Sequence, residues 1–218
     1  MFEEIIKKIH DSKIIPVVKM DNSDVAVDLA HSLYEGGIKI IEITFRTLDG
    51  EEGYKKIARC IKTVSENCPE MLIGAGTVIN KNLAKMAVEN GAKFIVSPGF
   101  NPSTVDWCLE NKIPVFPGVD SPSQIEWALE KGLTVLKFFP AEVCGGTKML
   151  KALSGPFPNV SFLPSGGINS ANAFEYIQCP NVLALSGSWM VKEDLINQKK
   201  WDEITTHSRE AVLAVQGK

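Results

Sequence analysis

Short apolar runs alternate with amphipathic stretches along nearly the whole chain. The runs are rich in β-branched and aromatic residues, and they begin at Ile14, Ile40, Leu72, Phe94, Ile113, Thr134, Ser161 and Val182. Such runs predict buried strands, and the amphipathic stretches between them predict surface helices. The repeat is roughly 20 to 30 residues long, which is the length of one βα unit. The pattern therefore predicts eight βα units.

Eight such units predict an α/β fold, a single-domain (β/α)8 TIM barrel covering residues 1–218, because no linker divides the chain. The first residues, MFEEIIKKIHDSK, predict an additional N-terminal amphipathic helix and not a signal peptide. An open doubly wound sheet is the structural alternative. It is disfavoured because the chain has no complete GxGxxG motif, and the GxG at Gly74–Gly76 indicates close packing at a strand end.

The composition excludes several classes of protein. The 218 residues are 44% hydrophobic and 22% charged with a net charge of −3, which argues against binding to nucleic acid or to an anionic membrane. No apolar run approaches the length of about 18 residues that a membrane span requires. The five cysteines are scattered and form no CxxC pair, so neither disulfides nor a zinc site is predicted and a cytoplasmic location is favoured.

One lysine interrupts the predicted buried strand in TVLKFFPAE, residues 134–142. Burial favours the uncharged amine of Lys137, and an uncharged amine can attack a ketone to form a Schiff base. The alternative is that Lys137 extends its ammonium to solvent or pairs with a carboxylate without any chemistry. Active sites of barrels lie at the carboxyl ends of the strands. The polar residues at the other strand ends therefore help to distinguish these two interpretations.

The second predicted strand supplies partners for this lysine. Glu42, Thr44 and Arg46 alternate with apolar residues, so they share one face, which points into a closed barrel. Lys137 can point into the same space, with Arg46 nearer the mouth. The alternative is an internal Glu42–Arg46 ion pair with no chemical role.

Two glycine-containing loops follow the seventh and eighth strands, in LPSGGIN and ALSGSW. Barrels often bind phosphate at these two positions with backbone N–H groups at a helix start, although the glycines could also serve only to form tight turns. The candidate phosphate-binding residues are Ser165, Gly166, Gly167, Gly187 and Ser188. The histidines, His10, His31 and His207, lie in predicted helices without metal-ligand spacing, so no metal site is predicted.

These motifs resemble those of the bacterial 2-keto-3-deoxy-6-phosphogluconate (KDPG) and 2-keto-4-hydroxyglutarate (KHG) aldolases over nearly the whole chain. The resemblance is carried by IIPVV at Ile14, IEITFRT at Ile41, GAGTV at Gly74, LKFFPAE at Leu136 and SGSWMV at Ser186. It implies a class I aldolase that uses no cofactor or metal, takes a small keto-acid sugar phosphate and forms a homotrimer.

The resemblance also implies residue roles. Lys137 is the Schiff-base lysine and Glu42 the general acid/base. The pyruvate pocket would consist of Arg46, Thr77, Pro98 and Phe139, and the family's phosphate loops correspond to Gly166, Gly167 and Ser188. The chain departs from the family where Leu48, Asp49 and Gly50 follow the RT of ExTxRT in place of a proline, and where Ser165 stands for a threonine.

The expected reaction is the reversible cleavage of KDPG to pyruvate and glyceraldehyde 3-phosphate, with activity on KHG as well. Three alternatives remain open from the sequence. They are cleavage of the 6-phosphogalactonate epimer, another reaction in a phosphate-binding barrel without a Schiff base, and binding of a sugar phosphate without catalysis.

Overall fold

All eight apolar runs contain strands in the structure, a computed structural model that describes residues 2–217. The strands are β1 Ile14–Val18, β2 Ile40–Thr44, β3 Leu72–Gly76, β4 Phe94–Val96, β5 Val115–Phe116, β6 Gly118–Val119, β7 Val135–Phe138, β8 Ser161–Pro164 and β9 Leu185–Gly187. The helices between them confirm the βα repeat. The residues described thus form an α/β domain with parallel strands.

Helices flank the strands along the chain. They are α1 Phe2–Ser12, α2 Ala26–Glu35, α3 Gly50–Asn67, α4 Lys81–Glu89, α5 Pro102–Glu110, α6 Pro122–Glu130, α7 Gly146–Leu153, α8 Ala173–Ile177, α9 Glu193–Asn197 and α10 Trp201–Val215. Asn80 caps α4 by accepting a hydrogen bond of 3.0 Å from the N–H of Leu83. Among residues 2–217, no helix combines the length and the apolar character needed to cross a bilayer.

The strands form two sheets, and every pairing within them is parallel. The six-stranded sheet has the order β5-β4-β3-β2-β1-β9, and the three-stranded sheet has the order β6-β7-β8. Two isolated parallel bridges, Phe162 to Val182 and Ser165 to Ser186, connect β8 with the chain around β9. Because neighbouring strands are parallel, each helix that joins two strands returns the chain to the amino end of the next strand.

The prediction of one strand in the fifth apolar run is wrong, because Pro117 divides it into β5 and β6. Proline has no N–H to donate to a neighbouring strand. Phe116 still accepts a hydrogen bond from Ser97 on the β4 side, whereas the Pro117 carbonyl accepts one of 3.0 Å from the N–H of Lys137. The proline thus marks the point where the chain leaves one sheet and enters the other.

The core fills the space between the strands and beneath the helices. Phe94, Phe116, Phe138 and Phe162 are all fully buried, and their rings form edge-to-face pairs about 6 Å apart. Phe2 of α1 places its ring 6.4 Å from that of Phe116. The predicted N-terminal helix therefore packs onto the strands with its apolar face.

Candidate active site

Lys137 on β7 and Glu42 on β2 meet in the interior of the protein. The Lys137 side chain is 2% exposed and that of Glu42 is fully buried, and Nζ lies 3.7 Å from Oε1. Because β2 and β7 belong to different sheets, the two groups approach each other across the interior. The structure thus rules out both a solvent-directed Lys137 and a Glu42–Arg46 ion pair, since Glu42 pairs with the lysine.

The carboxylate of Glu42 keeps its capacity to accept hydrogen bonds. Neither of its oxygens receives one from any group in residues 2–217. A buried carboxylate in this condition is costly unless a cation or a donor faces it. The pair can therefore exchange protons with a molecule that reaches both groups and brings its own hydroxyl or carbonyl.

Gly76 at the end of β3 makes room for this carboxylate. It is paired in register with Thr44 of β2, and a Cβ atom at position 76 would overlap Oε1 of Glu42. Gly74 is small for a similar reason, since a Cβ there would overlap the ring of Phe94. The interpretation of the GxG as a site of close packing is confirmed.

Arg46 and Thr77 lie just beyond the ends of β2 and β3. The Nε–H of Arg46 donates a hydrogen bond of 3.1 Å to Oγ1 of Thr77, and no other hydrogen bond to this guanidinium is formed within residues 2–217. Thr77 has a φ of +54°, a left-handed conformation that is rare for a β-branched residue. The arrangement orients the guanidinium and leaves both Nη groups for a planar anion such as a carboxylate.

A cavity of about 280 Å³ at the carboxyl ends of the strands brings the predicted binding residues together. Its lining includes Arg46, Thr77, Pro98, Phe139, Ser165, Gly166, Gly167, Gly187 and Ser188. Lys137 and Glu42 lie deeper along their strands, and Nζ of Lys137 is 5.2 Å from the centre of the Phe139 ring. Phe139 therefore connects the buried pair to the cavity.

The two glycine loops meet at one side of this cavity. Gly166 and Gly167 have φ values of +94° and +84°, which glycine adopts without strain. The N–H groups of Gly167 and Ser188 donate no hydrogen bond within residues 2–217. Two unused donors beside the Ser165 and Ser188 hydroxyls are suited to the oxygens of a phosphate.

The expectation that helix starts supply these donors is wrong. Helix α8 begins at Ala173 and α9 at Glu193, several residues beyond the cavity-lining glycines and Ser188. The side-chain oxygen of Asn169 accepts a hydrogen bond from the N–H of Ala171, and its NH2 group donates to the carbonyl of Gly167. The loop after β8 is thus held by its own polar side chains, and its backbone supplies the donors.

Sequence reasoning missed a partly buried contact behind the loop that follows β8. Glu142 accepts a hydrogen bond from the hydroxyl of Tyr176, and its side chain fills the space that a Cβ at Gly167 would need. Burial, and next the hydrogen bond to Glu142, raise the pKa of Tyr176, so the tyrosine remains a donor. Glu142 is part of KFFPAE, but nothing in the sequence identifies Tyr176 as its partner.

Other cavities of the protein are larger than the one lined by the predicted binding residues. Arg46 and Thr77 line a neighbouring cleft of about 580 Å³ next to the Leu48–Asp49 loop, where Leu48 is fully exposed. Another cavity of about 410 Å³ lies at the amino ends of β2 and β3 and contains none of the predicted site residues. The convergence of polar groups, and not cavity size, identifies the functional site.

Comparisons with known proteins identify similar chains. A family model described as KDPG and KHG aldolase matches residues 5–207. The 2-dehydro-3-deoxy-phosphogluconate aldolase of Haemophilus influenzae is 41% identical over 96% of each chain.

Two solved structures are also similar to the chain. A KDPG aldolase from Legionella pneumophila, with pyruvate captured as a covalent carbinolamine intermediate, is 38% identical over 94% of this chain and 96% of that one, with a TM-score of 0.88. A 2-keto-3-deoxy-6-phosphogluconate aldolase from Zymomonas mobilis with 3-phosphoglycerate is 31% identical over 97% and 96% of the two chains, with a TM-score of 0.86.

Replacing Gly76 with alanine is expected to displace the Glu42 carboxylate. A shift of about 1 Å in a catalytic group can cost about a hundredfold in rate, so we expect Gly76→Ala to lower kcat for aldol cleavage by about 10²-fold. Gly155→Ala is the matched control, because a Cβ there makes only an ordinary contact of 3.7 Å. Equal kcat values for the two variants would show that the position of Glu42 is not important for the reaction.

Proposed function

The chain belongs to the KDPG and KHG aldolase family, and we propose that it cleaves KDPG reversibly to pyruvate and glyceraldehyde 3-phosphate through a Schiff base on Lys137. It is an aldehyde-lyase. The observation that carries the mechanism is the buried pair of Lys137 and Glu42 with 3.7 Å between Nζ and Oε1. The carbinolamine captured in the Legionella pneumophila enzyme supports the same first step here.

The reaction begins at the C2 ketone of the substrate. The amine of Lys137 adds to this carbon, and protonation of the resulting hydroxyl allows water to leave, which gives a protonated imine. Glu42 is suited to pass these protons because its oxygens face the amine and accept no hydrogen bond from residues 2–217. The positive imine then serves as the electron sink for the next step.

Cleavage follows when Glu42 takes the proton of the C4 hydroxyl. The C3–C4 bond breaks, its electrons pass into the imine to form an enamine, and glyceraldehyde 3-phosphate leaves as the aldehyde. Protonation of the enamine at C3 and hydrolysis of the imine release pyruvate and restore the lysine. One carboxylate can serve each of these steps because the proton donors and acceptors all lie near C2 to C4. The same steps with KHG would release glyoxylate.

The pyruvate portion of the substrate fits the inner part of the cavity. We assign the carboxylate to Arg46, whose planar guanidinium can bind it with two hydrogen bonds, with Thr77 holding the arginine in place. Phe139 and Pro98 form the apolar sides of the same space. With the carboxylate fixed, the C2 ketone faces Lys137, and the amine attacks a single orientation of the substrate.

We assign the phosphate to the two glycine loops. The unused N–H groups of Gly167 and Ser188, together with the hydroxyls of Ser165 and Ser188, can surround a dianion without a nearby cation. Binding of 3-phosphoglycerate in the Zymomonas mobilis structure supports a phosphate site in this family. The phosphate then anchors the aldehyde half at the opposite end of the cavity from Arg46.

We also propose that residues 1–218 form one closed (β/α)8 barrel domain. Only Pro117 separates β5 in the six-stranded sheet from β6 in the three-stranded sheet, which supports closure at this junction. The bridges between Phe162 and Val182 and between Ser165 and Ser186 support closure at the other junction. Closure explains why Glu42 and Lys137 meet across the interior.

A homotrimer in the cytoplasm is the proposed state of the protein. An apolar surface formed by Ile79, Phe100 and Trp127 supports association. Ile79 and Trp127 are each about half exposed, and the Phe100 ring lies 6.3 Å from the Trp127 ring. The five cysteines are all unpaired, as expected in a reducing compartment.

Borohydride reduction in the presence of pyruvate tests the Schiff base. We expect a mass increase on Lys137 and loss of activity, because reduction converts the imine to a stable secondary amine. Lys137→Met should form no adduct and lose at least about 10⁴-fold in kcat, since the nucleophile is gone. Lys148→Met, which removes an exposed lysine on α7, is the control and should behave like the wild type. Cleavage by Lys137→Met at an undiminished rate would contradict the mechanism.

Kinetics on the two C4 epimers test the substrate. We expect a higher kcat/KM for the 6-phosphogluconate derivative than for the 6-phosphogalactonate derivative, because most of the sequence and structural similarity is to KDPG aldolases. Both assays measure pyruvate release under identical conditions. A preference for the galactonate epimer would overturn the substrate assignment while leaving the Schiff base intact.

Sedimentation tests the trimer. We expect Trp127→Glu to shift the protein toward monomers, because a charge in the apolar surface would have to be desolvated on association. Leu213→Glu is the control, since Leu213 is similarly exposed but lies on α10. Identical sedimentation coefficients for wild type and Trp127→Glu would place the interface elsewhere.

A further inference from the structure

Three side chains that commonly bind metals meet at the amino-terminal end of the strands. His31 lies on α2, Cys68 directly follows α3, and Glu70 precedes β3. One possible ligand atom from each residue lies within 4.8 Å of the other two. The catalytic cavity lies at the opposite end of the strands, so this group is separate from the aldolase site.

The chemistry of the three groups fits a zinc ion. Imidazole nitrogen, thiolate sulfur and carboxylate oxygen are all ordinary zinc ligands, with bonds of about 2.0 to 2.3 Å. Ligand atoms around one tetrahedral ion lie roughly 3.5 Å apart, so the group must contract by about 1 Å. His31 and Glu70 are exposed and can turn toward an ion, whereas Cys68 is fully buried and supplies a fixed point.

We propose that His31, Cys68 and Glu70 form a zinc-binding site with a fourth position open to solvent or to a small ligand. Glu70 also lines the cavity of about 410 Å³ at this end of the molecule, which gives access to the open position. Because the ligands come from α2 and from the connection between α3 and β3, the ion links two βα units. Its expected effect is on stability rather than on the aldol reaction.

Cobalt titration of the metal-stripped protein tests the site. We expect a thiolate-to-cobalt charge-transfer absorption in the wild type that saturates at one ion per chain and is displaced by zinc. Cys68→Ser should abolish the band. Cys144→Ser, which removes a partly exposed cysteine between β7 and α7 at the opposite end of the strands, should retain it.

Because a substitution at the buried Cys68 can also disturb the fold, His31→Gln provides the second test. His31 is exposed, so this variant should fold normally and bind zinc at least about tenfold more weakly. Zinc should raise the Tm of the wild type more than that of His31→Gln. Absence of the charge-transfer band in the wild type, or its persistence in Cys68→Ser, would overturn the proposal. Neither result would affect the borohydride test of Lys137.

Discussion

The structure depends on one buried contact between a lysine and a glutamate. Lys137 and Glu42 are each costly to bury alone, and each makes burial of the other tolerable. Their contact requires strands from two different sheets to face each other and a glycine at position 76 to leave space for the carboxylate. The same absence of solvent that makes the pair costly also strengthens its interaction with a substrate carbonyl.

The groups assigned to chemistry and the groups assigned to binding lie in different parts of the fold. Glu42 on β2 and Lys137 on β7, which we assign to the chemistry, are both buried. The groups assigned to bind the two ends of the substrate, such as Arg46 and Ser188, lie just beyond the strands. Loops in this position can vary without disturbing the core. Rigid placement of the reacting groups and adaptable placement of the recognition groups suit a lyase that must hold two products.

Much of the fold and of the candidate site could be predicted from the sequence, because the spacing of polar and apolar residues along a strand is a local signal. The alternation of polar and apolar residues on β2, and the single lysine in an apolar run, indicated that Glu42, Thr44 and Lys137 lie in the interior. Arg46 shares the face of Glu42 in the sequence pattern but is exposed, because it lies beyond the end of β2. The sequence analysis did not predict the division of the fifth strand at Pro117, because the residues before and after the proline also have the composition typical of strands. The group of His31, Cys68 and Glu70 could not be predicted for another reason, since His31 is distant in the chain from the other two and only the packing of α2 beside α3 brings them together.

The left-handed backbone of Thr77 has a consequence for how this protein can change. Such a conformation costs a β-branched residue on the order of 1 to 3 kcal/mol, and the surrounding fold must supply that free energy. Glycine or asparagine would relieve the cost, but each would remove the hydroxyl that orients Arg46. Selection for heat resistance would therefore favour glycine or asparagine at position 77, whereas selection for fast turnover would favour threonine.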